Sequence, residues 1–540
     1  MTSYAEIQVT SNFTFSHGAS HPHELVKTAA SLDYHAIAIT DHNSLAGVVR
    51  AHTAANEHNI KILVGARLDF IDCPSLLCLP TNRKAYGNLA ALLTKGKRRT
   101  IKGQCKLYYS DFVKNNSEQI LVALPPTIID HAFLEHLKKI SKHSPGNCYL
   151  AASHDYDGND NHKIAQLAEL SHLSDVPLVA SNNVYYHIPK RRVIQDILTC
   201  IREKCTIEQA GFKLKANAER HIKSPHEMAR LFSSYPEAIM HTIEIANRCC
   251  FSLDELEHCY PKESSPNNPT PFDRLAQLAS EGARGRYPDG VPAKIRKQLN
   301  HELSLIKQLG YAPYFLTVYE IVKFAKSQNI YCQGRGSAAN SSVCYCLEIT
   351  AVDPNQIDLL FERFISSARN EPPDIDIDFE HDRREEIIQH VYNKYGRNRV
   401  GMTATVTSYR ARSAIREVGQ ALGISSDIVS ILAKTVWGSS KRAVAIDDVL
   451  EVGLNPLDYK LKLALKLAEE LIGFPRHLSQ HVGGLVITQD RLSEIVPIAN
   501  AAMRNRTVIE WDKDDINALN ILKVDILGLG ILTCMHKSFD

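Results

Sequence analysis

The sequence predicts an α/β multidomain protein, and three observations carry that expectation. Over residues 1 to about 230, short β-branched runs alternate with helical patterns; a proline-rich stretch then interrupts the chain; beyond it a different order of helices and strands begins. At about 100 to 200 residues per domain, 540 residues hold about three or four domains with buried cores of their own. Hydrophobic residues make up 44% and charged residues 23%, with Lys+Arg 62 against Asp+Glu 60. This is the balance of an ordinary soluble globular chain, so net charge names no partner, and a disulfide-stapled or disordered chain is excluded. The 13 cysteines form no C-x-x-C pair, which speaks against a zinc ribbon or thioredoxin-like motif and for reduced thiols. No basic-then-apolar leader opens the sequence, and no segment approaches the roughly 18 apolar residues of a membrane span. The expected location is cytoplasmic.

In chain order, strands are expected at 36–40, 60–64, 120–124 and 176–180, the rhythm of β/α units in a barrel or an open doubly wound sheet. The first intervening helix has Ser20 as its expected cap, Pro22 in its first turn, Glu24 at the positive dipole end, and Leu25, Ala29 and Leu32 as its buried stripe. The stretch 261–271, with four prolines and little that is apolar, reads as a surface connection. Amphipathic helices follow at 293–309 and 313–328, then a strand, glycine turn and helix over 330–347. A strand at 374–379, a helix at 383–395, a helical block over 408–475 and strands at 484–488 and 521–527 complete the reading. A helical pattern from Leu532 reaches Asp540 uncapped, so the chain is read as a piece of a longer polypeptide.

The strongest chemical signal is Pro372-Pro373-Asp374-Ile375-Asp376-Ile377-Asp378-Phe379. In a strand, residues i, i+2 and i+4 share a face, so three carboxylates stand together opposite Ile375, Ile377 and Phe379. Like charges at that spacing call for neutralisation, and a hard cation such as Mg²⁺ supplies it; a solvated acidic edge strand is the competing reading. Gly334-Arg335-Gly336-Ser337 forms a glycine turn between strand and helix, where bare amides, Arg335 and the Ser337 hydroxyl can cradle phosphate, although such turns are more often structural. Within Leu522-Lys523-Val524-Asp525-Ile526-Leu527 an acid interrupts an apolar strand, and a buried Asp must be paired, protonated or metal-bound. Lys523, on the same face, can meet either Asp525 or a phosphate. Residues 387–416 contain Lys394, Arg397, Arg399, Arg410, Arg412 and Arg416 with no acid, a stretch that suits nucleic-acid phosphates or a solvated face.

Together with Leu359-Leu360-Phe361-Glu362-Arg363-Phe364 and His481-Val482-Gly483-Gly484, these motifs stand in an order that resembles the C-family bacterial DNA polymerases of the DNA polymerase III alpha-subunit type. Tyr4-Ala5-Glu6-Ile7-Gln8-Val9-Thr10, Ser44 to His52, Gly65-Ala66-Arg67-Leu68 and Gly336 to Ser341 look like its error-prone branch. The resemblance implies a PHP domain, a distorted β/α barrel, over 1–230; a connection and linker over 231–271; a polymerase-β-like nucleotidyltransferase palm over 272–405 and 484–540; and a helical thumb inserted over 406–483. It implies DNA-directed DNA polymerase activity, with translesion synthesis after DNA damage. Asp374, Asp376 and Asp525 would be the catalytic, metal-binding triad for two Mg²⁺ ions, with Asp378 supporting the strand. Arg335, Gly336, Ser337, Arg363, Arg383, Lys523 and His481 would face the nucleotide and its phosphates. Expected partners are primer-template DNA and deoxynucleoside triphosphates, with any sliding clamp or accessory mutagenesis proteins engaged by downstream regions.

The PHP pattern departs from the metal-binding form. Gln8-Val9-Thr10, Arg67 and Asn183-Val184-Tyr185 stand where H-x-H, Glu and D-x-H are usual, which leaves His17, Asp41, His42 and His154 as a remnant and implies an inactive, structural domain. The alternatives are a metal-dependent phosphoesterase working through this domain, or a scaffold piece with no activity of its own because the fingers are missing.

Overall fold

The computed structural model describes residues 3–114, 118–261, 270–356, 365, 375–435 and 446–540. Most of the proline-rich connection (262–269), the 359–364 motif with Arg363, and Asp374 lie outside the described residues, as does the side chain of Ser337. The chain forms two compact units, Met1–Glu255 with Val406–Ser479, and Leu256–Thr405 with Gln480–Asp540.

In the first unit, β1 (Ala5–Glu6), β2 (Ala36–His42), β3 (Lys61–Leu68), β4 (Leu76–Pro80), β5 (Gln119–Ala123), β6 (Cys148–Ser153) and β7 (Leu178–Ser181) lie side by side in sequence order. β4 is antiparallel to both neighbours and the remaining pairs are parallel. Just past β1 and β7 the sheet nearly closes on itself, since Thr10 N–H donates to Val184 O and Val184 N–H to Gln8 O, both at 2.9 Å. The result is a distorted barrel rather than an open sheet. One face of it gathers Ile7, Ala38, Leu63, Leu79, Val122, Tyr149 and Val179 with Ile245 and Ala246 of helix Pro236–Arg248. That helix falls within the stretch expected to be a connection; its apolar stripe gives it a place against β7 and β1 instead.

Helix Pro22–Ser31 forms with two corrections to the expectation: His21, not Ser20, is its cap, and Leu32 is its half-buried C-cap while Val26 joins Leu25 and Ala29 in the buried stripe. Glu24 reaches back to accept from His21 N–H at 2.9 Å, while the Ser20 hydroxyl is held by His187, whose Nδ1 lies 2.7 Å away. The helical block comprises Ala411–Ala421, Ser426–Thr435, Ile446–Glu451 and Tyr459–Leu471. Its apolar faces share one core with helix Arg192–Glu203: Ile415, Val418, Leu461, Leu467 and Leu471 are buried with Ile194, Ile197 and Leu198.

The second unit is built on β8 (Cys332–Arg335), β9 (Asp376–Glu380), β10 (Val400–Ser408), β11 (Pro475–Ile487), β12 (Ile498–Asn500), β13 (Thr507–Asp512) and β14 (Val524–Leu529), in the order β12-β13-β10-β11-β14-β9-β8. β10, β12 and β13 were not among the expected strands, and β11 starts well before residue 484. Among the described residues no helix is long and apolar enough to cross a membrane.

Candidate active site

The sheet of the second unit brings together two acids separated by almost 150 residues of sequence. β9 and β14 are adjacent and parallel, with Asp376 the register partner of Asp525 and Asp378 that of Leu527. Side chains of register partners share a face, and adjacent strands are about 4.8 Å apart, so both carboxylates stand on the same side within reach of a common ion. On the other face Ile377, Phe379 and Ile526 are fully buried and fix the register, because a slip by one residue would exchange core for solvent. Tyr314 supports the start of β9, its hydroxyl accepting from Ile375 N–H at 2.7 Å.

β8 lies antiparallel on the outer side of β9, with Arg335 opposite Asp376. The Arg335 Nε is 3.9 Å from Asp376 Oδ2 and 3.5 Å from Asp378 Oδ2, so the guanidinium offsets the two acids of β9 while half of it remains exposed. Gly336 follows at φ +66°, a left-handed conformation that favours glycine, and opens the short 3-10 turn Gly336–Asn340. The strand has thus become a turn directly beside Asp376; a Cβ on Gly336 would lie 3.9 Å from Asp376 Oδ2.

Behind Asp525, Lys523 Nζ donates to Oδ2 at 2.6 Å, and both side chains are about nine-tenths buried. Of its two open readings, Lys523 takes the pairing with Asp525. On the other flank β11 places Gly484 opposite Asp525. His481 Nδ1 accepts from Gly484 N–H at 2.7 Å, which puts the ring proton on Nε2 and makes the 3.8 Å approach of Nδ1 to Asp525 Oδ1 a packing contact rather than an ion pair. The absent side chain at Gly484 leaves a cradle, in which a Cβ would sit 2.9 Å from His481 Nδ1, 3.0 Å from Asp525 Oδ1 and 3.3 Å from Thr403 Oγ1. Asp525 Oδ1 and Thr403 Oγ1 are both buried without a hydrogen-bond partner among the described residues. Orphaned oxygens around a small gap suit a cation or its bound water, so the donor set fits the expected divalent ion. Among the described residues no group of three metal-ligating side chains forms, the third expected acid being Asp374.

Not every expected residue joins this group. Arg383 lies beyond the far end of β9, bonded to Glu386 at 2.9 and 2.8 Å and to Gln328 O at 3.0 Å. In the basic stretch, Lys394 pairs with Glu320, Arg397 donates to Asn505 O and Arg412 to Ala433 O. Thr403, on β10, is a site residue that the sequence did not announce.

In the barrel most polar atoms of the remnant meet protein groups, while His42 Nε2 is buried without a hydrogen-bond partner among the described residues. Asp41 is fully buried and its oxygens accept from Ser11 N–H (2.8 Å), Ser11 Oγ (2.7 Å) and Thr14 Oγ1 (2.7 Å); burial still raises its pKa. His42 Nδ1 is 3.0 Å from Asp69, which also accepts from Arg67 Nε at 2.8 Å. Burial works to raise the Asp69 pKa, but His42 and Arg67 together hold it well below the usual carboxylate range. His17 stacks on His42 at 5.2 Å, and burial, reinforced by Arg202, drives its pKa down to about 3. His154 sits apart, edge-on to Phe232 at 5.2 Å. Gln8 accepts from Ser181 at 2.7 Å. Arg67 and His42 thus meet at Asp69, a residue that nothing in its local sequence marks.

Comparison with known proteins agrees with both halves of this description. Residues 6–198 match the PHP domain, and residues 273–528 match the bacterial DNA polymerase III alpha NTPase domain. The chain is thus similar over nearly its whole length to error-prone DNA polymerases, and its second half carries the match to the bacterial DNA polymerase III alpha NTPase domain. The error-prone DNA polymerase of Caulobacter vibrioides is 52% identical over 536 residues, covering 99% of this chain and 50% of the relative. That of Bradyrhizobium sp. is 52% identical over 548 residues, covering 99% and 47%, and that of Brucella abortus 50% over 547 residues, covering 100% and 51%. The chain spans about half the length of the curated relatives it matches. Among solved structures, an amidohydrolase from Chromobacterium violaceum overlays 34% of this chain and 87% of its own at TM-score 0.26 and 15% identity.

Proposed function

We propose that this chain carries the catalytic acids of a DNA-directed DNA polymerase, which joins deoxynucleotides to a primer 3′-hydroxyl on a DNA template and serves error-prone synthesis past damage. The observation that carries the reading is the in-register apposition of Asp376 and Asp525 on adjacent parallel strands, beside a glycine turn that presents Arg335. Asp376 and Asp525, with Asp374 two residues before Asp376 in the sequence, would hold two Mg²⁺ ions. When bound, these supply charge neutralisation at the attacking and leaving oxygens.

The chain's own groups do the rest. Lys523 orients Asp525 through the 2.6 Å contact. Arg335 and the amides of the Gly336–Asn340 turn receive the triphosphate, and the His481 Nε2–H is a donor for one of its oxygens. Such chemistry is chiefly positioning and electrostatics. The barrel is given no metal-dependent role in this reading, because Gln8, Thr10, Arg67, Asn183 and Tyr185 stand where metal ligands are usual. A sliding clamp and accessory mutagenesis proteins, engaged by other parts of the longer polypeptide in the cytoplasm, belong to the same proposal.

The test is Mg²⁺-dependent primer extension by the longer polypeptide. Asp525→Asn should lower it by about a thousandfold or more while leaving the thermal transition in place. Extension retained within tenfold would remove Asp525 from the mechanism.

A further inference from the structure

The turn at Gly336–Asn340 ends on a feature that the chemistry above does not use. Glu302, on helix Ala293–Gln308, is only 2% exposed, yet it reaches the chain directly after the turn. Its Oε1 accepts from Ser342 N–H at 2.8 Å; its Oε2 accepts from the Ser341 hydroxyl at 2.8 Å and from Val343 N–H at 3.0 Å. The Ser341 hydroxyl in turn accepts from Cys344 N–H at 3.0 Å, and Ser341 N–H closes back on Ala338 O at 3.1 Å. One carboxylate therefore fixes three consecutive residues and, through Ser341, the turn that precedes them. These partners are all neutral dipoles, and burial outweighs their pull, lifting the Glu302 pKa to about 7. A buried acid held by neutral donors stabilises little by charge pairing; what it supplies is geometry.

The other end of the turn is pinned independently, by the pairing of Arg335 with Asp376 and by Gly334 N–H donating to Ile349 O at 2.7 Å. At the far end of Gly336–Asn340 the chain is held to helix Ala293–Gln308 by the Glu302 contacts and by Ser342 Oγ donating to Gln298 Oε1 at 3.2 Å. We infer that Glu302 is a positioning residue for the incoming triphosphate, acting through Ser341–Val343 to hold the turn's amides at the height of Asp376. This rests on the polymerase reading given above.

The test is single-nucleotide incorporation by the longer polypeptide, comparing wild type with Glu302→Gln and Ser341→Ala. The amide of Glu302→Gln keeps the shape but turns one acceptor into a donor. It should raise KM for the deoxynucleoside triphosphate about tenfold, with kcat within about threefold and primer-template affinity unchanged. Ser341→Ala, a smaller deletion that also keeps the proposal testable if Glu302→Gln fails to fold, should raise KM about threefold. Equal KM values in active, folded variants would overturn the proposal and leave the polymerase reading intact. A lower fraction of active molecules whose KM is that of wild type would do the same, marking Glu302 as merely structural. A wild-type polypeptide that extends no primer would overturn both.

Discussion

Two buried glutamates show how far burial alone moves a side chain in this molecule, and one of them offers a clean measurement. Glu6 is fully buried and accepts from Tyr4 OH (2.8 Å), Gln8 N–H (3.0 Å) and Asn182 N–H (3.1 Å), yet burial dominates and lifts its pKa to about 7. The folded chain keeps a proton there that the unfolded chain releases near pH 4.5. Stability contributed by this group is therefore present below about 4.5, falls as pH rises toward about 7, and changes no further above it. Relative to Glu6→Gln, wild type should lose on the order of 3 kcal/mol of unfolding free energy between pH 4 and pH 8; denaturant titrations of the two proteins with parallel pH dependence would show that Glu6 ionises normally. The same burial explains what the sequence conceals. Asp376 and Asp378 were legible because a strand's alternation puts them on one face, and Asp525 because an acid interrupts an apolar run. Glu302 and Thr403 owe their places to partners tens of residues away, as Asp69 does in part through His42, and such partners leave no periodicity to read.

At the level of the strand, the site depends on how closely β11 approaches β14. Opposite Asp525 only glycine leaves room for both the carboxylate and the His481 ring, since a Cβ at Gly484 would stand 3.0 Å and 2.9 Å from them. These atoms are side-chain ends that can shift, so Gly484→Ala should fold and lose only a few degrees of thermal stability. Primer extension should fall at least about tenfold, because the atoms that shift are the ones the chemistry needs; activity within twofold of wild type would show that the gap has no role. Strand legibility follows a related logic. β2, β3, β5 and β7 announce themselves through β-branched runs bounded by turn residues. β4, Leu76–Pro80, contains no β-branched residue and ends on proline, and β1 spans only two residues, so neither gives a local signal. β10 alternates small residues and threonines, as in Gly401-Met402-Thr403-Ala404-Thr405, which neither period captures well.

Across the whole molecule, chain order and packing part company at the helical block. The resemblance implies a helical thumb inserted over 406–483, and residues 406–479 fold into the compact unit of the barrel. The reason is apolar surface. Helices Ala411–Ala421 and Tyr459–Leu471 turn Ile415, Val418, Leu461, Leu467 and Leu471 toward Ile194, Ile197 and Leu198, leaving one shared core and no independent one. Truncating Leu198 to Ala should accordingly cost about 2 to 5 kcal/mol and be felt as much by residues 411–471 as by the barrel's own helices. A stronger consequence concerns chain length. A polypeptide starting at residue 256 keeps the block but loses its partner face, so it should aggregate, with fast amide exchange across 411–471. The Thr407 and Ser479 hydroxyls lie 3.1 Å apart, which means that the excursion begins and ends at one place and can be replaced by a short glycine-serine link between Thr405 and Gln480. That second deletion should restore solubility to the strand unit carrying Asp376 and Asp525. If the first polypeptide is monomeric with protected helices, the block has a sufficient core of its own and its packing with Ile194, Ile197 and Leu198 is dispensable; if both aggregate, the strand unit itself depends on residues before 256.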